Sequence, residues 1–563
     1  MKIDVKLLVK FLLVSGVFLT LIYSQSLRYP LLNGWDDPEY VTLNSHIRSL
    51  DLPHLKSIFF SFSMGNYAPI HILSYALDFR LFGPGQMGHR ATNLLIHFLN
   101  SILVFLFIRK INRNEGLALV GGLLFAIHPL QVESVAWVSQ RKNVLSALFL
   151  FLAFLSYTRF SEKGRIPSYG LSVLFFALGL LTKISIVVFP AYIYAYDTFI
   201  LERNFRWKTS FKYLPFLILA MAAGLITLQA QSVGGIRLEY YGDSWIKSVL
   251  LVPTLWWNYL HQILLPLKLS PLYDEKIVAS FSLLKLFAML LFLAAVIFLI
   301  FWWGRRKQTI SLFWFIWFIV GLMPVSHFIP MVTIMNDRYL YFPMVGIFVI
   351  LAAIVNNLLL ALRPVNRKAV SILLVLLIIS PLVLLAQERT RLWADDFTLW
   401  SDAVAKFPKQ AKARSNLAVT FMDEGEYGRA IPELERALEV DPDLYVGRLN
   451  LGACYLQMNN PRSAVEELQK AIRIFGGDPK AHYYLGMAYH LSGKNEQAIP
   501  ELRWVVDRFP SWNEVTLNLI RICQESGRKE EAEELIRAVR ARQQNNINIP
   551  VDPEKPGTRL QGE

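Results

Sequence analysis

Cysteine is nearly absent: Cys454 and Cys523 are the only two in 563 residues. That excludes a disulfide framework and any cysteine-based metal spacing, and both fit the small apolar positions of a helical repeat. Acids are scarce in the first two-thirds of the chain, where residues 1–388 hold 17 Asp and Glu against 33 Lys and Arg. Carboxylate chemistry in that part therefore has few candidates. No small-x-small cleavage site follows the first apolar run, which gives way to Ser24-Gln25-Ser26-Leu27-Arg28-Tyr29-Pro30, so an uncleaved first span is expected. The apolar runs show no internal duplication of the kind transporters carry. What is plentiful is apolar and aromatic, at 54% and 13% of residues, which points to a polytopic membrane protein. The net charge of +14 comes from the apolar half. It fits cytoplasmic loops and phosphate-bearing lipids better than nucleic acid.

A span needs roughly 20 apolar residues. Beyond the first, near 7–23, spans are expected near 89–109, 116–130, 143–160, 168–182, 184–200, 213–230, 281–303, 309–327, 338–361 and 369–387. Basic clusters at Arg109/Lys110/Arg113, Arg159/Lys163/Arg165, Arg203/Arg206/Lys208/Lys212, Arg305/Arg306/Lys307 and Arg363/Arg367/Lys368 belong on the cytoplasmic side. With those fixed, 231–247 and 267–280 share the outer side, so 248–266, with Trp256, Trp257 and Tyr259, reads as an interfacial or re-entrant helix. The expectation is about eleven crossings, N-terminus inside and C-terminus outside.

After Ala386 the composition shifts to Ala, Leu, Glu and Arg, and a period near 34 emerges. Leu417-Ala418, Phe421, Ala430 and Leu434 are echoed by Leu451-Gly452, Tyr455, Ala464 and Leu468, then by Leu485-Gly486, Tyr489, Ala498 and Leu502. Leu519, Cys523, Ala532 and Ile536 make a degenerate fourth copy. This is the tetratricopeptide pattern, an α-solenoid with a concave surface suited to a protein partner. A domain over 1–388, a repeat domain over 389–542 and a disordered tail over 543–563 follow.

Asp36 and Asp37, in the sequence Asn33-Gly34-Trp35-Asp36-Asp37-Pro38-Glu39-Tyr40, sit where the chain leaves the first span. A carboxylate there suits a general base acting on a hydroxyl; a cap on the following helix is the bland alternative. Adjacent side chains diverge, which argues against a metal held by both. His89, Asn93 and His97 share one helix face, either as a pocket or as hydrogen-bonding between spans. The stretch His128-Pro129-x2-Val132-Glu133-x3-Trp137-x3-Arg141-Lys142 puts two cations on an outer loop, where a lipid phosphate would account for them. Lys183, at a tight outer turn, and Arg338, within Asn336-Asp337-Arg338-Tyr339-Leu340-Tyr341, add further cations on that side; Asp337 is a candidate ion-pair partner for Arg338. The rival to an enzyme is a transporter or a non-catalytic membrane scaffold whose repeats recruit partners.

Trp35-Asp36-Asp37, Gly88-His89-x3-Asn93-x3-His97, the His128–Lys142 stretch, Leu181-Thr182-Lys183 and Asp337-Arg338-Tyr339-Leu340-Tyr341, joined to the repeats, resemble one group over nearly the whole chain. That group is the transmembrane and tetratricopeptide-repeat-containing O-mannosyltransferases of GT-C type, with their prokaryotic relatives. The resemblance implies an all-α GT-C membrane domain and a polyprenyl-phosphate sugar donor rather than a nucleotide sugar. It further implies an inverting transfer to a protein or glycan hydroxyl, an acidic catalytic residue in the first outer loop, and residence in the cytoplasmic membrane of a prokaryote. Trp35, His89, Asn93, His128, Glu133, Arg141, Lys142, Lys183, Asp337, Arg338 and Tyr339 are its expected substrate-binding residues. The chain departs from the group in having Asp337 where Glu is usual, and Ile184 where an acid often follows the lysine.

Overall fold

The computed structural model describes residues 5–203, 210–233, 244–274, 308–331, 333–361 and 364–544, with isolated positions at 240 and between 291 and 305. The expected span at 281–303 and the expected disordered tail lie largely outside these residues. Among the described residues the chain is helical throughout, and the only β pairing is an isolated bridge between Ser63 and Asn66. Among the described residues, six helices are long and apolar enough to cross a membrane: Val5–Tyr23, Gln86–Asn112, Val138–Lys163, Phe211–Ser232, Met344–Ala361 and Ala369–Arg391. Glu115–Ile127 and Pro129–Ala136 form a seventh only as a pair bent by 51°. Ile166–Leu180, Ile184–Ile200 and Thr309–Val325 are shorter apolar helices.

The helix over Trp245–Leu264 carries Pro253 within it and is not among those apolar enough to span. The apolar run at 116–130 ends early because His128 is extended and its ring accepts the Leu130 amide at 3.3 Å. Pro129 has no N–H with which to continue the helix through that point.

The helices beneath the site form a frame. They are α1 (Val5–Tyr23) and, after two short helices α2 (Leu52–Phe60) and α3 (Pro69–Phe82), the long α4 (Gln86–Asn112), with α5 (Glu115–Ile127) packed beside it. A short α6 (Val132–Ala136) leads into α7 (Arg141–Lys163). Helices α4 and α7 are tied at both ends. Arg141 reaches the His89 carbonyl at one end, and Lys110 pairs with Glu162 at the other. Each helix places about 21 residues between those two polar layers, or about 31 Å at 1.5 Å per residue. That matches the thickness of a bilayer's hydrocarbon core.

The chain divides into two compact units, Met1–Leu399 and Trp400–Glu563. The first unit runs past residue 388 because Trp393 stacks against Trp35 and Trp137, and Asp396 accepts the Asn33 amide at 2.8 Å. The second unit holds helix pairs at the expected period: Ala411–Asp423 with Tyr427–Val440, Tyr445–Gln457 with Pro461–Ile474, Pro479–Leu491 with Asn495–Arg508, and Asn513–Glu525 with Lys529–Gln544. Glycine is required where paired helices touch. A Cβ on Gly452 would sit 2.5 Å from Leu468, and one on Gly486 would sit 2.7 Å from Leu502.

Candidate active site

Two loops from the same end of the helices make the site: the stretch 29–37 after α1, and the stretch 128–142 that joins α5 to α7. Arg90, at the start of α4, clamps them together. Its guanidinium donates to the carbonyls of Tyr29 at 3.2 Å and Pro30 at 2.5 Å, and also to that of Ala136. Asp37 provides the second tie. One of its oxygens accepts the Leu32 amide at 3.0 Å; the other accepts the Ser139 amide at 3.0 Å and the Ser139 hydroxyl. Burial pushes the Asp37 carboxyl above its ordinary range, against the opposing pull of Ser139, Arg90 and the Leu32 amide. Asp37 is therefore part of the scaffold.

Asp36 faces a different environment. It is 5% exposed, with Oδ2 3.6 Å from Lys142 Nζ, while Oδ1 has no hydrogen-bond partner. Arg338 lies close enough to couple electrostatically to Asp36. Its guanidinium donates to Glu133 Oε1 at 2.7 Å and lies 5.5 Å from the Trp137 ring, 6.0 Å from Trp35 and 5.5 Å from Tyr339. Trp35 and Trp137 pack with ring centroids 4.1 Å apart. Arg338, Tyr339, Lys183, Asn143 and Ser146 also line a small cleft. Lys183 donates to Asn143 Oδ1 and sits 5.8 Å from the Tyr339 ring. Burial, with Lys142 and Arg338 nearby, pulls the Lys183 ammonium well below its ordinary value, and Glu133 only partly opposes this. An anion entering the cleft would meet Lys183, whose charge the protein around it does not balance, beside Arg338, whose charge Glu133 and Asp36 do support.

The remaining expected residues fall outside this cluster. Arg141 is fully buried. It donates to Asn93 Oδ1 at 2.8 Å, to Ser74 at 3.1 Å and to the His89 carbonyl at 2.8 Å, pairs with Asp78 at 2.5 Å, and lies over Tyr75. With every guanidinium nitrogen held by protein, Arg141 has nothing left for a phosphate. Burial would raise the Asp78 carboxyl, but His89, Arg141 and Thr92 outweigh it and hold the carboxyl low. Asn93 donates toward the Val135, Trp137 and Val138 carbonyls, so it carries the 132–141 loop on α4. His97 bonds Tyr341 and the Ala126 carbonyl, and His128 bonds the Ile263 carbonyl. Asp337 accepts from Tyr273 and pairs with Arg389 at 3.4 Å; the carboxylate beside Arg338 is Glu133 instead. His89 bonds Asp78 at 3.1 Å, behind Arg141.

Several residues that organise the site were not singled out by sequence: Arg90, Ser139, Asn143, Trp393 and Asp396. The one available signal was Trp393-Ala394-Asp395-Asp396, an aromatic and two acids directly after the final apolar run. Among the described residues, no three His, Cys, Asp or Glu side chains come together as metal ligands would.

Apolar helices of membrane length, a buried carboxylate–cation cluster at one end of them and a tetratricopeptide array are the marks of a helical integral membrane protein that carries a repeat array. Residues 66–227 match the family described as Dolichyl-phosphate-mannose-protein mannosyltransferase, and residues 421–488 and 492–546 match tetratricopeptide repeat families. The human protein O-mannosyl-transferase TMTC3 is 24% identical over 84% of this chain and 53% of its own length. The Caenorhabditis elegans protein O-mannosyl-transferase F38B6.6 is 21% identical over 69% of this chain and 55% of its own length. A mouse relative, protein O-mannosyl-transferase TMTC1, is 38% identical over a shorter stretch, 18% of this chain and 11% of its own. The chain thus resembles the GT-C membrane glycosyltransferases of this O-mannosyltransferase group, and it spans about half the length of the long-matching relatives.

Proposed function

We propose that this chain is a membrane glycosyltransferase that moves a sugar from a polyprenyl-phosphate donor to a hydroxyl, on a protein or glycan, at the non-cytoplasmic face. Asp36 carries the reading: a buried carboxylate with one oxygen toward Lys142 and the other unpartnered, coupled to a cation that lines the cleft. Asp36 Oδ1 takes the proton from the acceptor hydroxyl, whose oxygen attacks the sugar's anomeric carbon. The bond from that carbon to the phosphate oxygen breaks on the opposite face, so configuration inverts. The polyprenyl phosphate leaves with a charge stabilised by Arg338 and Lys183. Asp37 and Arg90 hold the loop, and Lys142 orients Asp36.

Membrane orientation supports the same reading. The Lys110–Glu162 end of α4 and α7, near Arg113, Arg159 and Lys163, belongs in the cytoplasm by its basic excess, which leaves the Asp36 end outside. The repeats would present the acceptor or a partner protein.

The test uses the purified full-length protein in lipid, with undecaprenyl-phosphate mannose as donor and serine/threonine peptides as acceptors. Asp36→Asn should lower transfer by about 10²–10⁴-fold without changing thermal unfolding. Wild-type activity in that variant would overturn the assignment.

A further inference from the structure

Three further orphaned polar groups adjoin Arg338 or the rings packed near it. Glu133 Oε2 is buried with no hydrogen-bond partner, although Glu133 Oε1 takes Arg338 at 2.7 Å. The indole nitrogen of Trp137, 5.5 Å from the guanidinium by its ring, is buried without a partner too. The Trp393 indole nitrogen, on a ring stacked 5.5 Å from Trp137, is a third. Buried polar atoms are normally satisfied, and those that are not call for a ligand or another explanation. Here two carboxylate acceptors and two N–H donors stand among aromatic walls, and a polyhydroxylated ring supplies the matching donors and acceptors.

Arg338 joins this group to the cleft. It lines the cleft with Lys183 and touches Glu133 behind it. In a glycosyl phosphate the phosphate and the ring hydroxyls are only a few bonds apart. A phosphate held by Arg338 and Lys183 therefore brings the ring toward Glu133.

We infer that Glu133 is the residue that reads the donor sugar: its free Oε2 accepts a hydrogen bond from one ring hydroxyl while Oε1 fixes Arg338. This rests on the polyprenyl-phosphate donor proposed above. A site built to bond a hydroxyl discriminates strongly against a ligand lacking it, because the buried acceptor is then left bare. Recognition by Glu133 therefore predicts sugar selectivity concentrated at a single ring position.

The experiment measures kcat/KM for undecaprenyl-phosphate mannose and each of its monodeoxy analogues, with wild type, Glu133→Gln and Arg338→Gln. With wild type, one analogue should lose about 10²-fold or more against the parent. Glu133→Gln should lose a similar factor with the parent and little further with that one analogue, while keeping the full discrimination at the other positions. Arg338→Gln, which acts on the phosphate, should depress every donor alike. Equal relative losses across all analogues in Glu133→Gln would reduce Glu133 to a support for Arg338 and overturn the inference while leaving the donor reading intact. A wild type inactive with the parent donor would overturn both. If Glu133→Gln fails to fold, Glu133→Asp, which keeps the charge and withdraws the oxygen, should show the same position-specific loss.

Discussion

A backbone passing through Asp36-Asp37 aims successive side chains in different directions. One carboxylate can then be consumed by the scaffold while its neighbour stays available. Asp37 satisfies two backbone amides and a hydroxyl, and Asp36 keeps an unpartnered oxygen. The two asparagine variants should therefore fail differently. Asp37→Asn puts an N–H₂ against a donor in a buried site, and a buried group left unsatisfied costs about 1–3 kcal/mol. Thermal unfolding in lipid nanodiscs should show a lowered Tm for Asp37→Asn and an unchanged one for Asp36→Asn. Equal Tm values would mean that Asp37 does not pin the loop. The pair was legible in the sequence because acids are so scarce there, but its division of labour was not. The Ser139 partner lies 102 positions away, and no local pattern reports it. Arg141 shows the same limit from the other direction. A cation on an outer loop looked out of place, yet Asp78 and Asn93, far off in the chain, account for it.

At the scale of elements, the repeats were the most legible part, because each copy must solve the same helix-crossing problem with the same small residues. Superposed on that pattern is a ladder of ion pairs. Arg414 donates to Glu433 at 2.5 Å and to the Pro408 carbonyl at 2.7 Å, and Arg448 donates to Glu467 at 2.6 Å and to the Pro442 carbonyl at 2.7 Å. The third rung, 34 residues on, is His482, with Nδ1 2.5 Å from Glu501 and Nε2 3.0 Å from the Gly476 carbonyl. Both ring nitrogens face acceptors, and only the imidazolium has two N–H groups to give. Burial opposes the charge, but Glu501 and the Gly476 carbonyl outweigh it and raise the pKa of His482. With the folded-state pKa above the unfolded one, the rung's stabilisation is present at acid pH and lost as pH rises through the folded value. Hydrogen exchange of helix Asn495–Arg508 in the whole chain, corrected for intrinsic rates, should be faster at about pH 8 than at about pH 5.5. His482→Arg should abolish the difference; a pH dependence that persists in that variant would assign it elsewhere. Span boundaries were less legible than the repeats. An apolar run does not show where a His-Pro pair will break it, as at 128–129.

Across the whole molecule, the chemistry and the repeats fall in separate compact units divided at Leu399/Trp400. If the repeats serve only to bring acceptor protein, a chain ending at Leu399 should still transfer sugar to a short hydroxyl peptide at near wild-type kcat. It should lose rate with folded protein acceptors, chiefly through a raised KM. Loss of both activities would show that the repeats are needed for the catalytic unit itself. Composition alone places a boundary at the end of the last apolar run, at residue 388. Trp393 and Asp396 extend the first unit past that run.

The bond from the Asn33 amide to Asp396 closes a loop of 363 positions. Ribosomes add about 5–20 residues per second, so the Asp36 loop emerges roughly 20–70 s before the segment that seals it. During synthesis the loop has Arg90 and Ser139 within reach early, while its third anchor arrives last. A chain interrupted between Tyr339 and Trp393 would insert its first helices and carry every proposed catalytic side chain, yet lack the closing piece. No chain cut short of Trp393 therefore has a finished site, and synthesis of the segment just after the last apolar helix doubles as the step that assembles it.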